Sequence, residues 1–222
     1  MKITLSSSAI IKFLLIITLL LIVIHIAILG VYFIIDDPKR FDFVRMFDLD
    51  MERNIPTLFS SLLFTISSFL FYLLSHIEIK EKSKYWFGLS LIFIFLAFDE
   101  SVKLHEKLGD YVENFIDASG YLYYPWFIPY TIAVSIIAIF YIRFFLAMEK
   151  KIFYSFILSA IIFLTGAIGF DILGANEASI HSEETLLYCI YYTIEESLEM
   201  FGLVYLISIL LGLLEGSLVE VA

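Results

Sequence analysis

The sequence has one cysteine, four prolines and little charge, 17% of its 222 residues. Cys189 alone closes no internal disulfide, and no Cys/His spacing of zinc-finger type occurs. Basic residues are scarce as well: 14 Lys and Arg stand against 24 Asp and Glu, a net charge of −10. Nucleic-acid binding relies on clustered cations that neutralise phosphate, so that class of partner is excluded. Glycine-rich phosphate loops, nucleophile elbows and HExxH helices are missing, which leaves nucleotide chemistry and the common hydrolase motifs without support. No internal repeat, low-complexity tract or long linker interrupts the chain, so a single membrane domain over residues 1–222 is expected.

Apolar side chains are what the sequence has in excess, 61% of it, against about 45–50% in ordinary globular chains. That composition predicts an integral membrane protein. A helix needs about 20 apolar residues to cross ~30 Å of hydrocarbon. The runs 13–35, 56–77, 85–104, 125–146, 152–174 and 185–214 meet that length and are parted by charges or turn residues. The expected fold class is all-α, a polytopic bundle of six transmembrane helices with short loops. The first run is longer than the roughly 7–15 residues of a signal-peptide core and lacks a small-x-small cleavage site, so it is expected to stay as a helix. Residues 36–54 mix charges with Phe41, Phe43, Val44, Phe47 and Met51, the pattern of a short amphipathic helix lying in the headgroups.

Orientation follows from the basic residues. Lys2, Lys12, Lys80, Lys82, Lys84, Arg143, Lys150 and Lys151 fall on one side, and Lys39, Arg40, Arg45, Arg53, Lys103 and Lys107 on the other. Eight against six places the first side, with both termini, in the cytoplasm of a multi-pass cell-membrane protein. Trp86 and the run Tyr121, Tyr123, Tyr124, Trp126 and Tyr130 read as interface anchors.

The acids are the informative residues. Helix three has an uncharged run of only 13 residues, Trp86–Phe98, or ~20 Å of rise against a core ~30 Å thick. Crossing the membrane must therefore draw Asp99 and Glu100 below the interface. Helix six repeats the pattern: Met200–Leu214 is preceded by Glu195, Glu196 and Glu199, and before them Leu186–Ile194 is apolar again. Helix five adds Asp171. Charge inside a bilayer is costly, so these groups must face partners, water or a ligand. Asp99, Lys103, Glu106, Asp110, Glu113 and Asp117 follow at steps of four and three, one polar stripe if the helix continues outward. The outer part of that stripe, Asp110 to Asp117, reads as a solvated face. On such a continuous helix His105 lies about 140° from Glu100, too far round for both to bind one ion.

Glu177, His181 and Glu184 are spaced four and three, a ligand set if that segment is helical. The residues selected as metal ligands are Asp99, Glu100, His105, Glu106, His181, Glu195, Glu196 and Glu199. Zn, Fe or Mn suits such a mixture of imidazole and carboxylate. Asp171 and His25, the latter near the middle of helix one, are the candidates for a proton or ion relay. Helix two carries Thr57, Ser61, Thr65, Ser68, Tyr72 and Ser75 at steps of four and three, a face suited to close helix packing. Gly166, Gly169 and Gly174 invite the same reading for helix five.

The stretches from Phe98 through Asp99, Glu100, His105 and Glu106, and from Glu195 through Glu196 and Glu199 to Met200 and Gly202, carry a DExxxxHE and an EExxEM pattern. In this the chain resembles uncharacterised multi-pass bacterial membrane proteins, a likeness that transfers no activity. The Glu-x-x-His pairs of di-iron bundles are not formed by these acids, because Lys103 and Glu199 stand three residues after Glu100 and Glu196. The His-x-x-x-His pair associated with membrane ceramidase-like zinc hydrolases is missing too.

Together these features predict an acidic, His-bearing cavity near the extracytoplasmic face that binds a divalent metal; in the enzyme reading that metal activates water against a lipid-like substrate, as in a membrane-embedded, metal-dependent hydrolase. An ion or proton transporter and a non-catalytic sensor or interaction subunit, docking a membrane partner, are the alternatives. Whether the protein is an enzyme is left open at this stage. Reporter fusions after Lys84 and Lys151 are expected to signal cytoplasm, and fusions near Asp117 and Ser179 the outside. Reversed signals would turn the acidic face inward.

Overall fold

The computed structural model describes residues 6–34, 42–51, 53–77 and 80–221, and the described residues form helices and connecting turns without strands. Lys2, Ile35, Lys39, Arg40 and Phe41 lie outside them. The helices are α1 (Ser7–Tyr32), α2 (Asp42–Phe47), α3 (Ile55–Ile77), α4 (Lys80–Val102), α5 (Leu104–Glu113), α6 (Phe127–Leu146), α7 (Lys150–Leu164), α8 (Asp171–Ile180) and α9 (Leu186–Val221). A π-helical turn, Thr165–Phe170, joins α7 to α8.

Among the described residues six spans are long and apolar enough to cross a membrane: α1, α3, α4, α6, the continuous α7–α8 rod and α9. The all-α, six-span expectation therefore holds, and the chain is a multi-pass membrane protein. Two boundaries differ. The fifth span runs on to Ile180, because Gly174 continues the helix instead of ending it. Of the headgroup helix expected over 36–54, residues 36–41 and 52 lie outside the described residues; the described part is helical over α2 and ends where Asn54 turns back on the segment. Its side-chain amide donates to the Asp48 and Arg45 carbonyls while its oxygen accepts from Thr57 and caps α3.

Successive spans reverse direction, so both ends of the chain lie on one side, where the Ser7 hydroxyl donates to Glu215. The other side carries α2, α5 and the 114–126 segment. Near the middle stands α9, whose Met200, Val204, Ile207 and Leu210 are fully enclosed by α1, α3 and α7. On α1 the buried positions are Leu14, Thr18, Leu21, His25 and Ile28, at steps of four and three, whereas Phe13, Ile16, Leu20 and Val23 are exposed. Both faces of this helix are greasy. The inward one is marked by its two polar residues, as the cost of polar groups in lipid requires.

The hydroxyl face of α3 is a packing face. Ser61 donates to the Ala97 carbonyl and Ser68 to the Ser90 carbonyl of α4, at 2.9 and 2.8 Å, and Ser83 returns a bond to the Ser75 carbonyl at 2.6 Å. Small hydroxylated residues thus tie the two helices into a hairpin. The contact between α7 and α9 is closer still. A Cβ on Gly202 would lie 2.9 Å from the Phe163 backbone nitrogen, and one on Gly166 would lie 2.6 Å from the Glu195 carbonyl oxygen. Gly169 and Gly174 meet nothing nearer than ordinary contact, so Gly166 alone of the three performs the close-packing role. Gly202→Ala is expected to destabilise by about 1–3 kcal/mol through overpacking. Gly212→Ala, with no neighbouring atom within 4 Å, should be neutral. Equal melting temperatures for the two variants in detergent would refute this account of the crossing.

Candidate functional site

The structure gathers the acids of four helices into one cavity of about 520 Å³, open on the side that carries α5. Asp99 and Glu100 come from α4, Glu106, Asp110 and Glu113 from α5, Asp171 from the start of α8, and Glu195, Glu196 and Glu199 from α9. Asp50 and Glu183 complete the rim. These are eleven of the chain's 24 acids, and no lysine or arginine lines the same space among the described residues. At 1.5 Å per residue, Glu195 and Glu199 stand about 14 and 20 Å along α9 from its start, well inside the span.

Each wall has a local cause. Lys103 adopts a left-handed backbone conformation, φ 57°, and breaks the helix between α4 and α5. Asp99 then works as the cap of the new helix. Its carboxylate accepts the His105 backbone N–H at 2.8 Å, the Tyr130 hydroxyl at 2.7 Å, and lies 3.3 Å from His105 Nδ1. The DExxxxHE stretch is accordingly two helices, which corrects the single-helix geometry and removes the angular objection to Glu100 and His105 sharing a site. Lys103 pairs with Glu106 at 2.6 Å. The outer stripe stays exposed at Asp110 and Glu113, which together with Glu106 line the mouth of the cavity, because the break swings α5 across it. Gly109 lets α5 sit against Trp126, where a Cβ would approach to 3.1 Å.

The π turn does the same for α8. It sets Gly166 against α9 and brings Asp171 to the cavity wall, a use of π geometry common at functional sites. Asp171 Oδ1 accepts the Trp126 indole N–H at 3.3 Å, while Oδ2 is buried without a partner. Glu100, Glu195, Glu196 and Glu199 likewise have no hydrogen-bond or ion-pair partner among the described residues. Glu196 and Glu199 are close enough to Glu100 for their charges to interact across the cavity.

Aromatic residues complete the lining. Trp126 and Tyr130 turn inward to Asp171 and Asp99, although their position in the sequence marks them only as interface anchors. Tyr188 donates to Asp50 at 3.1 Å, Tyr124 to Glu183 at 2.6 Å, and Tyr192 stands one turn above the glutamates. The periodicity holds the missing signal: Tyr188, Tyr192, Glu195 or Glu196, and Glu199 are spaced for one face of α9, and Trp126, Tyr130 and Val134 for one face of α6. Burial and the Glu183 bond hold the Tyr124 phenol protonated.

His181 and His25 lie elsewhere. α8 ends at Ile180, so Glu184 falls beyond it. His181 is exposed and pairs with Glu177 at 3.2 Å, and Glu177 accepts from Thr185. His25 is enclosed. Its Nδ1 accepts the Leu49 N–H at 3.1 Å, which leaves Nε2–H to donate to Thr193 at 3.0 Å. That histidine therefore fastens the segment after α2 to α1 and α9. Among the described residues no three His, Cys, Asp or Glu side chains are grouped closely enough to hold a metal ion directly.

A family model covers residues 13–213, nearly the whole bundle and every acid of the cavity. The chain belongs to the family described as a domain of unknown function (DUF8692). No curated protein and no solved structure matches it. For this DUF8692 chain the chemistry must therefore be read from the cavity, and the cavity offers carboxyl oxygens without a protein partner, aromatic faces and one imidazole.

His105 supplies a pH-dependent check on the geometry. Burial disfavours its charged form, but the Asp99 bond and the neighbouring charges of Asp99, Glu100 and Glu106 outweigh that and raise it above the ordinary 6.5. A group raised on folding stabilises fully below its unfolded value and stops doing so as pH climbs through its folded value. Melting temperature is therefore expected to fall as pH rises above the ordinary imidazole value. His105→Gln should flatten that slope, and an unchanged profile in the variant would rule out the pairing.

Proposed function

We propose that the protein takes up a cation in its acid-lined cavity from the extracytoplasmic face. One observation carries this reading: Glu100, Asp171, Glu195, Glu196 and Glu199 line a shared space inside the membrane-spanning region, with carboxyl oxygens left without a hydrogen-bond partner and no lysine or arginine in that lining among the described residues. Carboxylates at that depth are tolerated when water or a cation neutralises them. The outward assignment of the cavity rests on the eight-to-six balance of basic residues in favour of the terminal side.

The acids are spread around a space wide enough for a small molecule. Because no three ligands meet directly among the described residues, a divalent metal would be held through water by Glu100, Glu195, Glu196 and Glu199. Such a metal would supply Lewis-acid chemistry, and the hydrolase reading belongs to that case. Transport finds less support. Beyond Glu199 the described core is Met200, Leu203, Val204 and Ile207, the α3 hydroxyls Ser61 and Ser68 bond α4 while Thr65 and Ser67 bond carbonyls of their own helix, and His25 is occupied by Leu49 and Thr193. A pocket that binds its ligand and releases it on the same side suits these residues better than a conduit.

Binding of Mn²⁺ and of propylammonium to the purified protein in nanodiscs tests the proposal. Glu199→Gln is expected to weaken whichever cation binds by about tenfold, the loss of one charge-assisted contact. Its melting temperature should hold or rise, because an amide is cheaper than an unpartnered carboxylate at that depth. Asp117→Asn, outside the cavity, should change neither. Unaltered binding in Glu199→Gln would place the site elsewhere, and unfolding of that variant would make the glutamate a structural bridge.

A further inference from the structure

α6 stands off from the bundle in its middle. Every residue from 131 to 136 is exposed, yet six consecutive helical positions sweep ~500° and must include side chains turned inward. Lipid, or a second copy of the chain against the outer face, accounts for the outward residues only. Both ends of α6 are fastened. At one end Tyr130 and Trp126 bond Asp99 and Asp171, and at the other Tyr141 donates to the Tyr85 carbonyl while Phe144 packs on Tyr85 and Trp86. Between them Val134 lines the acidic cavity together with Leu96 of α4 and Phe163 and Leu164 of α7. The cavity thus has an apolar flank beside α6, at the depth of the hydrocarbon.

We infer that the cation taken up here is the headgroup of an amphiphile, an amine-bearing molecule with one long alkyl or acyl chain that leaves the cavity beside α6 into the bilayer. This rests on the cation-binding reading and names its substrate class. Charge complementarity selects the head: the unpartnered Asp171 oxygen, Glu195, Glu196 and Glu199 take an ammonium, and the faces of Trp126, Tyr188 and Tyr192 suit it as well. Shape selects the tail, because the flank formed by Leu96, Val134 and Phe163 offers no hydrogen-bonding side chain. The volume, about 520 Å³, lies in the range of small-molecule sites, roughly 300–1,000 Å³. A molecule already in the membrane need move only its head, from the interface down to the glutamates, with the chain remaining in hydrocarbon throughout.

A dodecyl amine carrying a diazirine near the chain end tests this in phosphatidylcholine nanodiscs. Crosslinks are expected on residues 131–137 of α6 and 91–95 of α4, competed by unlabelled dodecylamine and reduced about tenfold in the Glu195→Gln, Glu199→Gln double variant. Val134→Trp, which narrows the flank, should reduce labelling far more than it weakens propylammonium or Mn²⁺ binding. Labelling spread evenly over lipid-facing helices and indifferent to these substitutions, with propylammonium or Mn²⁺ still bound at the acids, would overturn the amphiphile and leave the cation site standing. Should no cation, short or long, respond to the loss of Glu195 and Glu199, both inferences fall together.

Discussion

A carboxylate cannot be left bare in hydrocarbon, and the architecture on the α5 side of this bundle answers that constraint. Glu195, Glu196 and Glu199 stand well inside α9, so the helices opposite them cannot close down as they do around Met200 and Ile207. The result is a bundle of two characters. Its terminal half is dry and tightly crossed, with Gly202 against the Phe163 backbone and α3 bonded to α4. Its other half is held open around charge. Tyr130 and Trp126 act as struts there, each spending its polar end on an acid at the rim.

The open half is built from interruptions of regular helix. The left-handed turn at Lys103 and the π turn at Thr165–Phe170 each re-aim a helix so that an acid meets the cavity. Asp99 serves two ends at once, capping α5 and anchoring α6 through Tyr130, which makes it the joint between the lid and the strut. Breaks of this kind are stable in a membrane only where the released backbone groups find partners or water. Asp99 supplies one such partner, accepting the His105 backbone N–H just past the break.

Much of this was legible in the sequence, and the remainder was hidden for definable reasons. Six spans follow from the apolar runs, and the depth of the acids follows from runs too short to cross alone. That the acids meet in one cavity also agrees with their shared depth. The break at Lys103 was illegible because lysine is an ordinary helix residue, and only tertiary contacts through Asp99 reward its left-handed backbone. The inward turn of Trp126 and Tyr130 was masked because aromatic residues at a span's edge serve equally as interface anchors. Tyr188 and Tyr192 lay inside a stretch that composition reads as simply apolar, and their common face with the glutamates emerges only when the helical period is carried through the charges.

Polar groups inside the membrane divide here into two sets that composition cannot separate. His25, Asp99, Ser61 and Ser68 are satisfied by named atoms of the protein, and each joins two helices or a helix and a turn. Glu100, Glu195, Glu196, Glu199 and one oxygen of Asp171 are left without such partners among the described residues. A bundle stabilised by its polar contacts alone has no use for the second set, since replacing those acids with apolar residues of similar size would allow the helices to close and would remove a desolvation cost. Their presence is explained when something outside the protein completes them. On the proposed reading, the positive group that completes these carboxyls reaches them from water across α5 or from the bilayer beside α6.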